Sequence, residues 1–391
     1  MRAPKFHLGE RPKNLALLLA SILVSYLALE AGWRTYYYHQ LRQQIIARLS
    51  GTPVDESGSH GATYDPQKGL ISFYDPQMGY RYRPNINADV TKPFPIRFHI
   101  NSWGHVSDEE YPLEKPANEF RIAAVGDSFT ANVNNTVRWP ALLEERLNRN
   151  PEWLRFVHGK RTRVINLGRD GIGIVQMDKV LLLDGMRFSP DLVILSFPPD
   201  DMTRKPYFRG YLPNMSAEQK DDYVKERTSA MLKTLPWFTF YPEALAALTK
   251  GELLPSKLSA SIQLVNEDRH YSDKDEAVAV DVKAIKTILS AVPNTLILLH
   301  PQHEDFKGVV PSHLVGVLPK LEKQLAGIHI EHMINRFPKF KDEAELNSWF
   351  NYPYDLHMSD KGLGLYAKCV ETYVVAVATG HPVQIHADLD H

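Results

Sequence analysis

Phe120-Arg-Ile-Ala-Ala-Val-Gly-Asp-Ser-Phe-Thr130 is the stretch from which the chain can be read outward. An apolar run of strand character stops at Gly126, and Asp127 and Ser128 follow at once. This places Ser128 at the carboxyl end of a buried strand, immediately before a helix. In open α/β sheets ligands gather at that end of the strands. A helix N-terminus beside the serine favours developing negative charge. Ser128 is therefore a candidate nucleophile, and the rest of the chain can be searched for its partners.

Beyond this run, strand and helix patterns alternate. Strands are expected at 121–125, 163–167, 192–197, 295–299 and 328–332, and helices at 139–147, 174–186, 277–292, 312–325 and 361–378. Such alternation predicts a parallel sheet covered by helices on both faces, a flavodoxin-like three-layer α/β/α fold. Residues 203–275 are too long for a simple connection and read as an insertion that covers the site, with helical patterns at 217–235 and 242–248. Residues 70–115 mix turn residues with alternating stretches such as Ile96-Arg-Phe-His-Ile100, a small β-rich segment ahead of the main domain.

The N-terminus has a different character. Leu15 to Leu29 is apolar except for Ser21, Ser25 and Tyr26, and Trp33 with Tyr36, Tyr37 and Tyr38 follows. A spanning helix needs about 20 mostly apolar residues, with aromatic residues at its interface. Arg2, Lys5, Arg11 and Lys13 precede the run, so the positive-inside rule puts the N-terminus in the cytoplasm and the remainder outside. A cleaved signal peptide is the competing reading, but no clean small-residue cleavage site follows. The expected organisation is a tail and transmembrane anchor over 1–33, stalk and linker over 34–69 and the β-rich segment over 70–115. The main domain over 116–380 and a tail over 381–391 complete it.

Composition narrows the function classes. The chain has 391 residues, 43% of them apolar, enough for a sizeable core. Lys and Arg total 45 against 46 Asp and Glu, without the basic excess of a general nucleic-acid binder. The single cysteine, Cys369, excludes an intramolecular disulfide and a cysteine-based zinc site.

Three further segments carry chemistry. Asn166-Leu-Gly-Arg-Asp-Gly-Ile-Gly173 ends the second strand with glycines that turn the backbone tightly. Phe197-Pro-Pro-Asp-Asp-Met202 ends the third strand with two carboxylates. Tyr354-Asp-Leu-His-Met-Ser-Asp-Lys-Gly362 precedes the last helix with Asp355 and His357 in a loop. Taken singly, these read as a plain turn, a helix cap and a surface loop.

Together, over roughly residues 70 to 378, they resemble the SGNH (GDSL) family of serine esterases and acyl hydrolases, in its membrane-anchored bacterial branch. Gly126-Asp-Ser-Phe129 is similar to the family's first block, 166–173 to its second, 198–201 to its third and Asp355-Leu-His357 to its last. Gly79-Tyr-Arg-Tyr-Arg-Pro-Asn85 and Ile100-Asn-Ser-Trp-Gly104 also look like relatives of that branch. The resemblance implies Ser128 as nucleophile, His357 as general base and acid, and Asp355 as the group orienting the imidazole. It implies an oxyanion hole from the backbone amides of Ser128 and Gly171 and from the position of Asp200.

Two departures stand out. One residue separates Asp355 from His357 where the family usually has two. Asp200 occupies the place of an oxyanion-hole Asn, where an ionised carboxylate cannot donate and a protonated one can. Asn132, Asn134 and Asn135 read as residues that preserve the loop after the nucleophile. The function implied is a membrane-anchored serine esterase acting on acyl esters, O-acetyl groups included, of envelope glycans or lipids. An O-acyltransferase with the same triad is the near alternative, and a catalytically degenerate glycan-binding or assembly protein the distant one. The site would face the periplasm or exterior from the inner (cytoplasmic) membrane. No metal, nucleotide or redox cofactor is expected, and the oligomeric state is not legible.

Overall fold

The computed structural model describes residues 11–50, 64–65, 69–70, 72–75, 77–90, 95–206 and 270–380, with 221, 224–225, 228–229, 232, 237–238 and 240–249. The tail over 381–391, most of the linker and much of the pattern over 217–235 lie outside these residues. The chain divides into two compact units, Met1–Asp55 with Leu212–Asp268, and Glu56–Tyr211 with Arg269–His391.

In the first unit, one helix runs over Arg11–Ser50, with no break near residue 33, where the expected anchor was to give way to a stalk. Its stretch Asn14–Gln43 is long and apolar enough to cross a membrane. Glu30, fully buried, pairs with Arg34 at 3.1 Å. It also accepts from the Phe240 and Tyr241 amides at 3.2 and 2.8 Å, satisfying the exposed start of the helix Phe240–Thr249. The Tyr37 ring lies edge-on to Phe240. The insertion expected to cover the site thus contributes residues 212–268 to a unit with the N-terminal helix.

The second unit holds a five-stranded sheet. Its strands are β1 (Glu119–Gly126), β2 (Arg161–Asn166), β3 (Leu192–Phe197), β4 (Thr295–Leu299) and β5 (Ile330–His332). All neighbours pair in parallel, in the order β5-β4-β3-β1-β2. Register pairs include Ile122 with Val164, Ala124 with Ile194 and Leu298 with Glu331. This is the flavodoxin-like doubly wound order, and its switch point lies between β1 and β3.

Side chains alternate across each strand, so the sheet feeds two cores. Ala123, Val125, Ile165, Val193 and Leu195 join Met177, Val180, Ile285 and Leu321 on one face. Ile122, Ala124, Val164, Ile194 and Leu298 join Trp139, Trp153, Tyr366 and Val370 on the other. Cys369 packs in the second core, where burial pushes its thiol up to about 12, as expected of a structural residue.

The β-rich segment forms antiparallel pairs, among them Ser72–Asp75 with Gly79–Tyr82 and Ile86–Val90 with Ile96–Ile100. Met78, Tyr80, Tyr82, Phe98 and Ile100 belong to the first core of the sheet, so this segment shares the main domain's interior. The helix expected over 312–325 starts later, at Val317, because Gly316 at φ +78° turns the chain just before it. Two short helices escaped the sequence reading, Pro151–Phe156 and Glu343–Ser348, each capped by the preceding Asn150 or Asp342.

Candidate active site

Gly126 ends β1 where no side chain fits: a Cβ there would stand 2.2 Å from the Ser196 carbonyl oxygen and from Thr130 Oγ1. The chain then enters the short helix Ser128–Ala131, capped by Asp127, whose Oδ1 accepts from the Phe129 amide at 2.8 Å. Ser128 is therefore the first helical residue, and its amide has no acceptor within the helix. Asn132 closes the helix at φ 51°, a left-handed conformation that asparagine tolerates, as expected for a residue that preserves this loop.

His357 lies in the loop before the helix Asp360–Thr379. Its Nε2 is 2.8 Å from Ser128 Oγ, and its Nδ1 is 2.7 Å from Asp355 Oδ1. The second carboxylate oxygen, Oδ2, accepts from Asn134 Nδ2 at 3.1 Å. With Nδ1–H donating to Asp355, Nε2 presents its lone pair to the serine hydroxyl. The Phe129 ring lies against the imidazole, with centroids 4.6 Å apart. The one-residue spacing of Asp355 and His357 is thus compatible with a direct contact.

Electrostatics reinforce this pairing. Burial alone would lower the His357 pKa, but the Asp355 hydrogen bond and charge outweigh it, helped by Asp127 and Asp170, and the imidazole is more basic than usual. Burial pushes Asp355 up, but the His357 contact and the Asn134 hydrogen bond prevail and bring it down to about 2. The carboxylate is therefore ionised at neutral pH.

The 166–173 loop is held from several sides. Gly171 adopts φ +71°, which points to why glycine stands there. The Tyr80 hydroxyl donates to the Asp170 carbonyl at 2.9 Å, and the Asp170 amide donates to the Tyr82 hydroxyl at 3.2 Å. The Arg169 guanidinium donates to the Tyr80 carbonyl and to Asp184, each at 2.7 Å. Asp184 sits with His105 and Arg169, all of them buried. The Gly79-Tyr-Arg-Tyr segment, legible only as a resemblance, thus braces this turn.

Asp200 and Asp201 lie in the 3-10 turn Pro199–Thr203 after β3. Asp201 is fully buried, whereas Asp200 turns to Arg204, with Oδ2 2.8 Å from its guanidinium, and to His313, whose Nε2 lies 2.9 Å from Oδ1. Burial pushes Asp200 up, but Arg204, His270 and His313 outweigh it and hold the carboxyl below its usual value. Asp200 is then an acceptor with no hydrogen to offer an oxyanion. Arg204 also reaches Asp127 Oδ2 at 3.4 Å and Asp201 Oδ1 at 2.7 Å, a role that sequence reasoning missed because it depends on three separate carboxylates meeting.

The residues after β4 are partly internal. His300 is buried between Phe129 and Tyr366, with ring centroids at 4.9 and 4.2 Å. Burial lowers its pKa to about 3, so it is neutral. His303 is buried too, with Nε2 2.8 Å from Asn347 Oδ1.

No family model matches this chain. No curated protein matches it either. Among solved structures it is similar to a lipase/acylhydrolase from Enterococcus faecalis, at 12% identity and a TM-score of 0.36, over 69% of this chain and 100% of that one. It is also similar to a family 3 carbohydrate esterase from Clostridium thermocellum, at 14% identity and a TM-score of 0.35, over 67% of this chain and 98% of that one. A GDSL-like lipase from Parabacteroides merdae shares 15% identity at a TM-score of 0.33, over 67% of this chain and 95% of that one. At these scores the likenesses carry no residue role or activity over to this chain.

Proposed function

We propose that this chain is a serine esterase of the SGNH kind, anchored by its N-terminal helix and acting outside the membrane on acyl esters of envelope glycans or lipids. The observation that carries the reading is the unbroken chain of contacts from Ser128 Oγ through His357 to Asp355, at 2.8 and 2.7 Å. In this reading His357 Nε2 takes the hydroxyl proton as Ser128 Oγ bonds to the acyl carbon. The carbonyl oxygen becomes an oxyanion, stabilised by the Ser128 and Gly171 amides. His357 then gives its proton to the leaving alcohol oxygen as the acyl–oxygen bond breaks. Water attacks the acyl-enzyme by the same path in reverse. Asp355 keeps the imidazole in the required tautomer and stabilises its charged form. Asp200, held as a carboxylate by Arg204 and His313, supports the hole by no donor of its own in this reading.

The anchor supports the assignment to a membrane: one helix stretch, Asn14–Gln43, is long and apolar enough to span it. Hydrolysis of a chromogenic acetyl ester by the purified chain tests the reading. Ser128→Ala and His357→Ala should each lower kcat by at least about a thousandfold with the fold intact. Turnover unchanged in Ser128→Ala would refute it. Acyl transfer to an added sugar in place of water would instead reveal a transferase using the same residues.

A further inference from the structure

Asp200, His270 and His313 come from the turn after β3, the end of the insertion and the loop before the helix Val317–Gln324. Their nearest donor atoms all lie within 4.8 Å of one another. We propose that these three residues form a binding site for a divalent transition-metal ion, zinc by the nature of its ligands.

Two imidazoles and one carboxylate are a donor set suited to zinc, with a position left open for water or another ligand. Around a tetrahedral zinc with bonds of about 2.0–2.1 Å, ligand atoms stand roughly 3.3 Å apart. Here Asp200 Oδ1 is 2.9 Å from His313 Nε2, and Asp200 Oδ2 is 3.8 Å from His270 Nε2.

The surroundings are arranged as metal ligands require. His270 Nδ1 is 2.7 Å from Thr203 Oγ1. Donation there fixes the tautomer in which Nε2 faces Asp200 with a lone pair. The Asp200 carboxylate turns Oδ1 toward His313, while Oδ2, which faces His270 at 3.8 Å, is also held by the Arg204 guanidinium at 2.8 Å, so the carboxylate is oriented between the two imidazoles.

The backbone holds both histidine segments near β3. Residues 204 and 270 form an antiparallel bridge, and the Tyr271 amide donates to the Thr203 carbonyl at 2.7 Å. Lys274 Nζ donates to the Ser312 and Val315 carbonyls, each at 3.0 Å, which fastens the loop bearing His313 to the helix start after His270. The cluster was invisible in the sequence because positions 200, 270 and 313 have no ligand spacing and meet only in the fold. Binding here does not depend on the role proposed for Ser128.

The test uses the purified full chain in detergent, stripped with a chelator and titrated with zinc against a chromophoric competitor. About one equivalent should bind in the unmodified chain. Asp200→Ala, His270→Ala and His313→Ala should each weaken it by at least about a hundredfold, and Thr203→Val by about tenfold. Affinity should fall as the pH is lowered, because the ion displaces protons from the imidazoles. Ser128→Ala should bind zinc like the unmodified chain, which separates this proposal from the esterase reading. No binding, or binding unchanged across the three ligand variants, would overturn it. If an alanine variant fails to fold, cobalt in the unmodified chain decides: intense tetrahedral absorption bands displaced by zinc support the site, and weak octahedral bands overturn it.

Discussion

His357 is held by Asp355 on one nitrogen and offers the other to Ser128. A general base must be neutral to accept a proton, and the raised pKa of His357 moves the point at which that happens. Activity should therefore fall on acidification, with its midpoint above the ordinary imidazole value of 6.5. A profile of kcat/KM against pH whose acid limb lies below that value would contradict the arrangement. Asp200 gives a second prediction at this scale. Its carboxylate, kept ionised by Arg204, offers no hydrogen to a developing oxyanion. Asp200→Asn introduces an amide, so turnover of small acetyl esters by chelator-treated protein should hold or rise. A collapse to the level of Ser128→Ala would show that the carboxylate has a required role of its own. The family resemblance pointed to Asp200 as a departure, but not to the guanidinium that fixes its charge state. Arg204 reads as an ordinary basic residue until three carboxylates converge on it.

The hairpin Ser72–Asp75 with Gly79–Tyr82 is the element whose purpose emerges only from the structure. Tyr80 and Tyr82 bond both backbone groups of Asp170, one residue before Gly171. At a net of about 1 kcal/mol per hydrogen bond, these two bonds contribute about 2 kcal/mol, about a thirtyfold change in rate if the brace acts mainly in the transition state. Tyr80→Phe with Tyr82→Phe should lower kcat by about thirtyfold and leave KM nearly unchanged. A rise in KM at constant kcat would assign the hairpin to substrate binding instead. Four strands of the sheet, β1 to β4, were legible as short runs with apolar residues that meet a Gly or Pro at their end or within two residues of it. The long helices were legible from their periodicity, with boundary errors where a glycine such as Gly316 turns the chain. The short helices at 151–156 and 343–348 were not, because six residues carry too little periodic signal. Asn134 was read as a loop-former, and its second task, donating to Asp355 Oδ2, depends on a contact 221 positions away.

The N-terminal helix and the candidate site belong to different units of the molecule. The N-terminal helix and residues 212–268 form one unit, and Ser128, His357 and Asp355 all lie in the other. The sequence marked the insertion by its length but held no sign of its partner, because the contacts of Glu30 with the Phe240 and Tyr241 amides join segments some 210 positions apart. The central claim is that Ser128 is a nucleophile activated by His357. Its most direct test is to treat membranes bearing the full chain with a serine-reactive phosphonate and map the adduct by mass spectrometry. The adduct should lie on Ser128, be abolished by Ser128→Ala and be strongly slowed by His357→Ala. A chain that takes up no probe across the neutral pH range, or takes it up equally in Ser128→Ala, would contradict the claim.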